Sequence, residues 1–182
     1  MNNINTFSQL SDKENKNHHP SFTDKNFKGP QAFIDFIYPE VRFPPKELYK
    51  VLGEEKIRYM VKYHHDLLAK TKVGRLFPTD KAKFDETVEK AADFYVQALG
   101  GDTIFTDKYG EPHLRSRHFV ATIDEKDREI WLQVFKKVLK DIDFPIEYRQ
   151  PFWDWIEALS IRMINRRTTF EAPKRVPYDK EQ

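Results

Sequence analysis

The sequence predicts an all-α protein. Apolar residues recur at about 3.6-residue spacing along several long stretches, glycine and proline mark the ends of those stretches, and no alternating apolar–polar run lasts more than a few residues. No longer internal repeat is visible.

The elements follow in order. Residues 1–30 are polar and Asn-rich, with isolated apolar residues that cannot offset the entropy of ordering them, and read as a mobile tail. Residues 31–45 carry Ala32, Phe33, Ile34, Phe36, Ile37, Tyr38, Val41 and Phe43, too apolar for a free linker, and read as an extension docked on the body. A short helix there ends before Pro39, and Pro44-Pro45 sets an extended approach to a helix starting at Pro45 or Lys46. Ile57, Met60, Val61, His64, Leu67 and Leu68 place one apolar face on a helix from about Gly53 to Lys70. After the loop Leu76-Phe77-Pro78, Thr79 or Asp80 caps a helix carrying Phe84, Val88, Ala91, Ala92, Tyr95 and Leu99, which Gly100-Gly101 ends. Residues 102–123 read as irregular, apart from a short helical piece from Leu114 to Phe119. Asp124 caps the next helix, with Ile130, Trp131, Val134, Phe135, Val138, Leu139 and Ile142 on one face, ending before Pro145. A last helix is expected from Pro151 to Arg166, with Phe152, Trp155, Ile156, Leu159 and Met163 inward, and residues 171–182 read as a frayed tail.

At 182 residues and 39% apolar content the chain suits one domain with a real core, placed at residues 46–170. Lys and Arg number 31 against 29 Asp and Glu, a net +2 that gives no strong field for nucleic acid or anionic lipid. The absence of cysteine excludes disulfides, iron–sulfur clusters, thiolate zinc sites, cysteine nucleophiles and the C-x-x-C-H attachment of a covalently bound haem. No apolar run approaches the ~20 residues of a membrane span, and the polar start is unlike a signal peptide, so the expected compartment is the cytoplasm.

Phosphate-cradling, nucleophile-elbow and zinc-protease motifs are missing, and chemistry falls to six histidines. His18-His19 lies in the tail and reads as solvated. His64-His65 lies on an amphipathic helix, where neighbours point ~100° apart, so the two cannot both bind one small ion. One of them can face an interior cavity. His118 sits between Arg115, Arg117 and Phe119. On the residues alone, each of these reads more simply as a hydrogen-bonded structural histidine.

Their order carries more. Leu52-Gly53-Glu54-Glu55 opens a helix, Leu76-Phe77-Pro78 sits at its corner, and Phe94 precedes Gly100-Gly101. Then come Tyr109-Gly110, Pro112, Leu114-Arg115, Arg117-His118, and Asp127 with Trp131. From about Leu48 to Arg166 this resembles the truncated haemoglobins of the second group. The resemblance implies a 2-on-2 helical sandwich, here with an N-terminal extension, holding non-covalent haem b. It implies His118 as proximal iron ligand and Lys90, with Arg115 and Arg117, as partners of the haem carboxylates. It also implies Phe77 and Phe94 as walls, Thr87 and Ala91 on the distal side, and Trp131 as a donor to bound ligand. Where the family carries Phe-Tyr this chain has His64-His65, and the preferred register puts His65 in the tyrosine's place. An imidazole there either donates to a bound ligand or coordinates iron itself. His113 is displaced from the family's Gly-His-Pro position and reads as surface.

The function implied is binding of oxygen or another diatomic gas. Alternatives are a redox, electron-transfer or sensor protein with iron held between His118 and His65, a nitric oxide dioxygenase or peroxidase-like activity drawing electrons from an unidentified reductase, and a helical interaction module without haem. No nucleic-acid partner or membrane span is expected, and the assembly is a monomer or homodimer.

Overall fold

The computed structural model describes residues 37–178, which contain helices and no strand. The tail with His18-His19 and residues 31–36 lie outside the described residues, and Ile37 and Tyr38 are not helical. The chain from Pro39 to Pro44 runs extended, with Pro44 buried, Val41 against the core and the Phe43 ring 5.5 Å from that of Trp155.

Helix α1 (Leu48–Leu52) meets α2 (Glu54–Leu68) at Gly53, whose φ of 75° lets the chain turn without a pause. A 3-10 turn at Lys72–Leu76 leads to α3 (Lys81–Ala98), capped by the Asp80 carboxylate accepting from the Lys83 amide at 3.0 Å. Gly100 ends α3 with φ +110°, and a Cβ there would stand 2.1 Å from the Lys46 carbonyl oxygen. Glycine thus brings the end of α3 onto the start of α1, where the Tyr49 amide donates to the Leu99 carbonyl at 3.0 Å.

The segment expected to be irregular contains α4 (Ile104–Tyr109) besides α5 (Leu114–Arg117). Six residues are too few to show a period. What makes them helical is the buried Phe105 and the Gln97 amide, which donates to Thr106 Oγ1 at 2.7 Å and accepts from the Thr106 amide at 2.9 Å. A 3-10 turn, His118–Val120, continues α5. Asp124 and Asp127 form a capping box on α6 (Glu125–Asp141).

The last helix, α7, runs Ile146–Ile161 and not Pro151–Arg166. Pro151 lies within it. The ladder bond lost at this proline is offset by Phe152, Trp153, Trp155 and Ile156, all buried just behind it. The early stop also has a cause. Arg115 donates to the Arg162 and Ile164 carbonyls, and Asn165 is drawn to the His118 and Ala121 carbonyls at 3.0 and 2.7 Å.

Two helix pairs, α2 with α3 and α6 with α7, join where α2 meets α6. Between them Phe135, Phe152, Trp155, Met60 and Leu132 are almost wholly buried. Residues 174–178, read from sequence as frayed, are held by a buried ion pair. Arg128 and Glu157, 4% and 2% exposed, meet at 2.5 Å, and Arg128 donates to the Lys174 carbonyl while Glu157 accepts from Arg175 and the Val176 amide. Trp153 adds an indole bond to the Val176 carbonyl at 2.7 Å.

Replacing one member of this pair strands the other charge. Glu157→Leu should lower unfolding stability by about 3–5 kcal/mol in urea titrations, and adding Arg128→Leu should restore part of it. Additive losses would show that the pair is not coupled.

Candidate functional site

His118 stands where α5 tightens into the 3-10 turn, half-buried. Its Nδ1 lies 2.7 Å from the Leu114 carbonyl oxygen, four residues earlier. A carbonyl only accepts, so Nδ1 carries the proton and Nε2 presents an unshared lone pair. His65 on α2 repeats the arrangement: its Nδ1 donates to the Val61 carbonyl at 2.8 Å, again four residues back, and Nε2 is left open. Burial pushes the His65 pKa down, and the Val61 bond and the nearby Asp66 carboxylate oppose this.

His64 is engaged elsewhere. It is 1% exposed, donates Nε2–H to the Trp131 carbonyl at 3.1 Å, and packs its ring 4.0 Å from Phe135 and 5.0 Å from Trp131. Burial first, then the neighbouring His65, pushes its pKa well below the ordinary histidine value. Of the adjacent pair, His65 is the one whose Nε2 makes no hydrogen bond among the described residues.

Aromatic groups surround the His65 side. Phe77 lies 5.6 Å from the His65 ring and 5.5 Å from Phe84, a neighbour the sequence reading did not include. Phe94 is buried against Phe105, and behind it the fully buried Trp155 has an indole N–H with no partner among the described residues. Trp131, half-buried, likewise makes no indole hydrogen bond among them. Ala91 packs at the core margin, and the Thr87 hydroxyl is given to its own helix through the Lys83 carbonyl at 2.8 Å.

The three cations separate. Lys90 Nζ sits 4.6 Å over the Tyr109 ring. Arg117 reaches the other side of that residue, donating to the Tyr109, Glu111 and Pro112 carbonyls at 2.5, 3.0 and 2.7 Å. Its guanidinium is thereby committed to shaping the loop before α5. Arg115 is bound to carbonyls at the end of α7. His113 is exposed, with a left-handed φ of 37°.

Two charged ties brace this region, neither evident from sequence because their partners are far apart in the chain. Arg75 grips Asp127 with two bonds of 2.7 and 2.8 Å, joining the Phe77 corner to the start of α6. Asp93, fully buried, receives Arg58, Lys108 and the Tyr109 hydroxyl.

Two imidazole lone pairs are too few for a bare metal ion, and no cluster of three or more His, Cys, Asp or Glu suited to a metal occurs among the described residues. Neutral nitrogen donors between aromatic walls suit a metal that already carries a flat, largely apolar ligand. A cleft of about 360 Å³ lined by Arg58, Tyr59, Lys62, Lys81, Asp85 and Val88 includes neither histidine.

The Asp93 network yields a pH prediction. Burial alone would raise its carboxyl, but bonds from Lys108 and Arg58 outweigh this and hold it below the ordinary 3.8. A folded pKa below the unfolded one means the contribution is full above 3.8 and lost as pH falls through the native value. Urea midpoints should decline from about pH 5 to pH 2, and Asp93→Asn should lower neutral-pH stability and flatten that decline. An unchanged acid slope in the variant would assign it to other carboxylates.

Comparison with known proteins places this arrangement. The family profile described as bacterial-like globin matches residues 47–165. The group 2 truncated hemoglobin YjbI of Bacillus subtilis is 28% identical over 119 residues, 65% of this chain and 88% of that protein. Among solved structures, phosphate-bound Hell's gate globin IV is 51% identical with a TM-score of 0.79, covering 84% of this chain and 95% of that one. The truncated oxygen-avid haemoglobin from Bacillus subtilis is 28% identical with a TM-score of 0.60, covering 65% and 98%. The wider match to globin IV takes in chain beyond residues 47–165. The all-helical fold is the 2-on-2 arrangement of these neighbours.

Proposed function

We propose that this chain, which belongs to the bacterial-like globin family, binds haem and through it oxygen or another diatomic gas, with His118 as the proximal ligand. The observation that carries the reading is the bond from His118 Nδ1–H to the Leu114 carbonyl, which leaves Nε2 deprotonated and aimed by its own helix. Bound haem supplies an iron that takes up a diatomic molecule reversibly. Phe77 and Phe94 supply apolar walls that keep water out, and Lys90 supplies a cation for a haem carboxylate. The Trp131 indole N–H, free of other bonds, is a donor to bound ligand. Without cysteine no thioether link to the haem forms, which favours non-covalent haem b.

A second reading concerns His65. It shares the tautomer of His118, with Nε2 open, so it is equipped either to coordinate the sixth position of the iron or, in the tautomer with the proton on Nε2, to donate to the ligand. His64 fits these roles less well, its Nε2 being held by the Trp131 carbonyl.

Spectra test both. His118→Ala should lose most haem in a transfer assay to an apo-globin acceptor while retaining its helical circular dichroism. Unchanged retention would overturn the proximal assignment. Ferric and ferrous spectra should be six-coordinate low-spin in the parent and five-coordinate high-spin in His65→Leu, with His64→Leu like the parent. A high-spin parent would leave His65 only the donor role.

A further inference from the structure

The net charge is only +2, yet the cations are unevenly neutralised. Around α2 and α3, Arg58 is shared by Glu54, Glu89 and Asp93, Lys62 pairs with Asp66, Lys81 with Asp85 and Lys108 with Asp93. Beside the turn that follows His118 the pattern reverses. Arg115 and Arg162 direct their N–H groups at backbone carbonyls, the Arg166 side chain makes no bond, and none of the three has a carboxylate partner among the described residues.

These arginines frame exposed apolar surface. Phe119 is 60% and Val120 95% exposed, adjacent in the chain and together on one turn. The Arg115 guanidinium stands 5.6 Å from the Phe119 ring. Asn165 ties the end of α7 to the carbonyls of His118 and Ala121, and the Arg166 amide bonds the Ile123 carbonyl at 3.0 Å, which sets Arg166 beside the same turn. An aromatic and a valine ringed by unpaired arginines have the make-up of a protein-docking patch, with desolvated apolar contacts at its centre and charge at its rim. The patch begins one residue after His118.

We infer that this face docks the acidic surface of a one-electron carrier protein, whose carboxylates pair with Arg115, Arg162 and Arg166 around a contact on Phe119 and Val120. The inference rests on the haem reading above. In the transfer, the carrier is oxidised by one electron and ferric iron is reduced to ferrous, with no bond made or broken. His118 and Phe119 form the short covalent path between the docked carrier and the iron. Nucleic acid fits less well, since an apolar centre gives phosphates nothing to bind.

The test uses the full chain loaded with haem, the Soret band first establishing occupancy. A reduced acidic [2Fe–2S] ferredoxin is titrated by calorimetry, and haem reduction is followed by stopped flow. Binding and reduction should weaken about tenfold as salt rises from about 20 to 200 mM, and about tenfold in Arg166→Glu and in Val120→Glu, with unchanged Soret spectra. Both positions lack internal side-chain bonds, so these variants keep the fold. The inference is overturned by a ferredoxin that does not bind, by variants that bind as tightly as the parent, or by phosphatidylserine vesicles or duplex DNA binding more tightly than the ferredoxin. A chain that never takes up haem defeats the functional reading instead, and calorimetry on that chain still reads the docking.

Discussion

A histidine can offer a metal only the nitrogen its surroundings leave unprotonated, and in this protein the helices make that choice. His65 and His118 each give Nδ1–H to the carbonyl four residues back. The bond needs no distant partner and turns each Nε2 outward from its helix as a base. Without the helical carbonyls either ring could protonate the other nitrogen.

Charge pairs govern how the helices carrying these rings are placed. Arg75 with Asp127 joins the corner after α2 to the start of α6, and Arg128, the next residue, carries the C-terminal segment through Glu157. Asp93 draws α2, α3 and α4 together through Arg58, Lys108 and Tyr109. Apolar burial holds the core, while these directional contacts set the register of one helix against another. The Asn165 contacts do the same for the turn bearing His118, tying it to the end of α7.

Long elements were legible because they repeat one signal. The periods through Ile57–Leu68, Phe84–Leu99 and Ile130–Ile142 agree with α2, α3 and α6, and the caps at Asp80 and Asp124 stand where side chains of that type favour a helix start. Misplaced elements share one cause. α4 is short and depends on Gln97, α7 tolerates Pro151 because of what is buried behind it, and residues 174–178 are ordered by Arg128 and Glu157. In each case contacts made only in the folded chain overrule the local preference.

The candidate site divides the same way. Order along the chain singled out His118, His65, Trp131 and Phe77 as candidates. It does not tell which of His64 and His65 keeps Nε2 unbonded, because adjacent residues on one helix differ only in which neighbours they meet. His64 is turned toward the Trp131 carbonyl and the Phe135 ring. Likewise Arg115 and Arg117 look equivalent in sequence and are separated by the carbonyls each one finds. Periodicity and capping depend on neighbouring residues and are written in the linear chain. Protonation, pairing and exposure depend on what the folded chain brings within a few ångströms, and are decided only there.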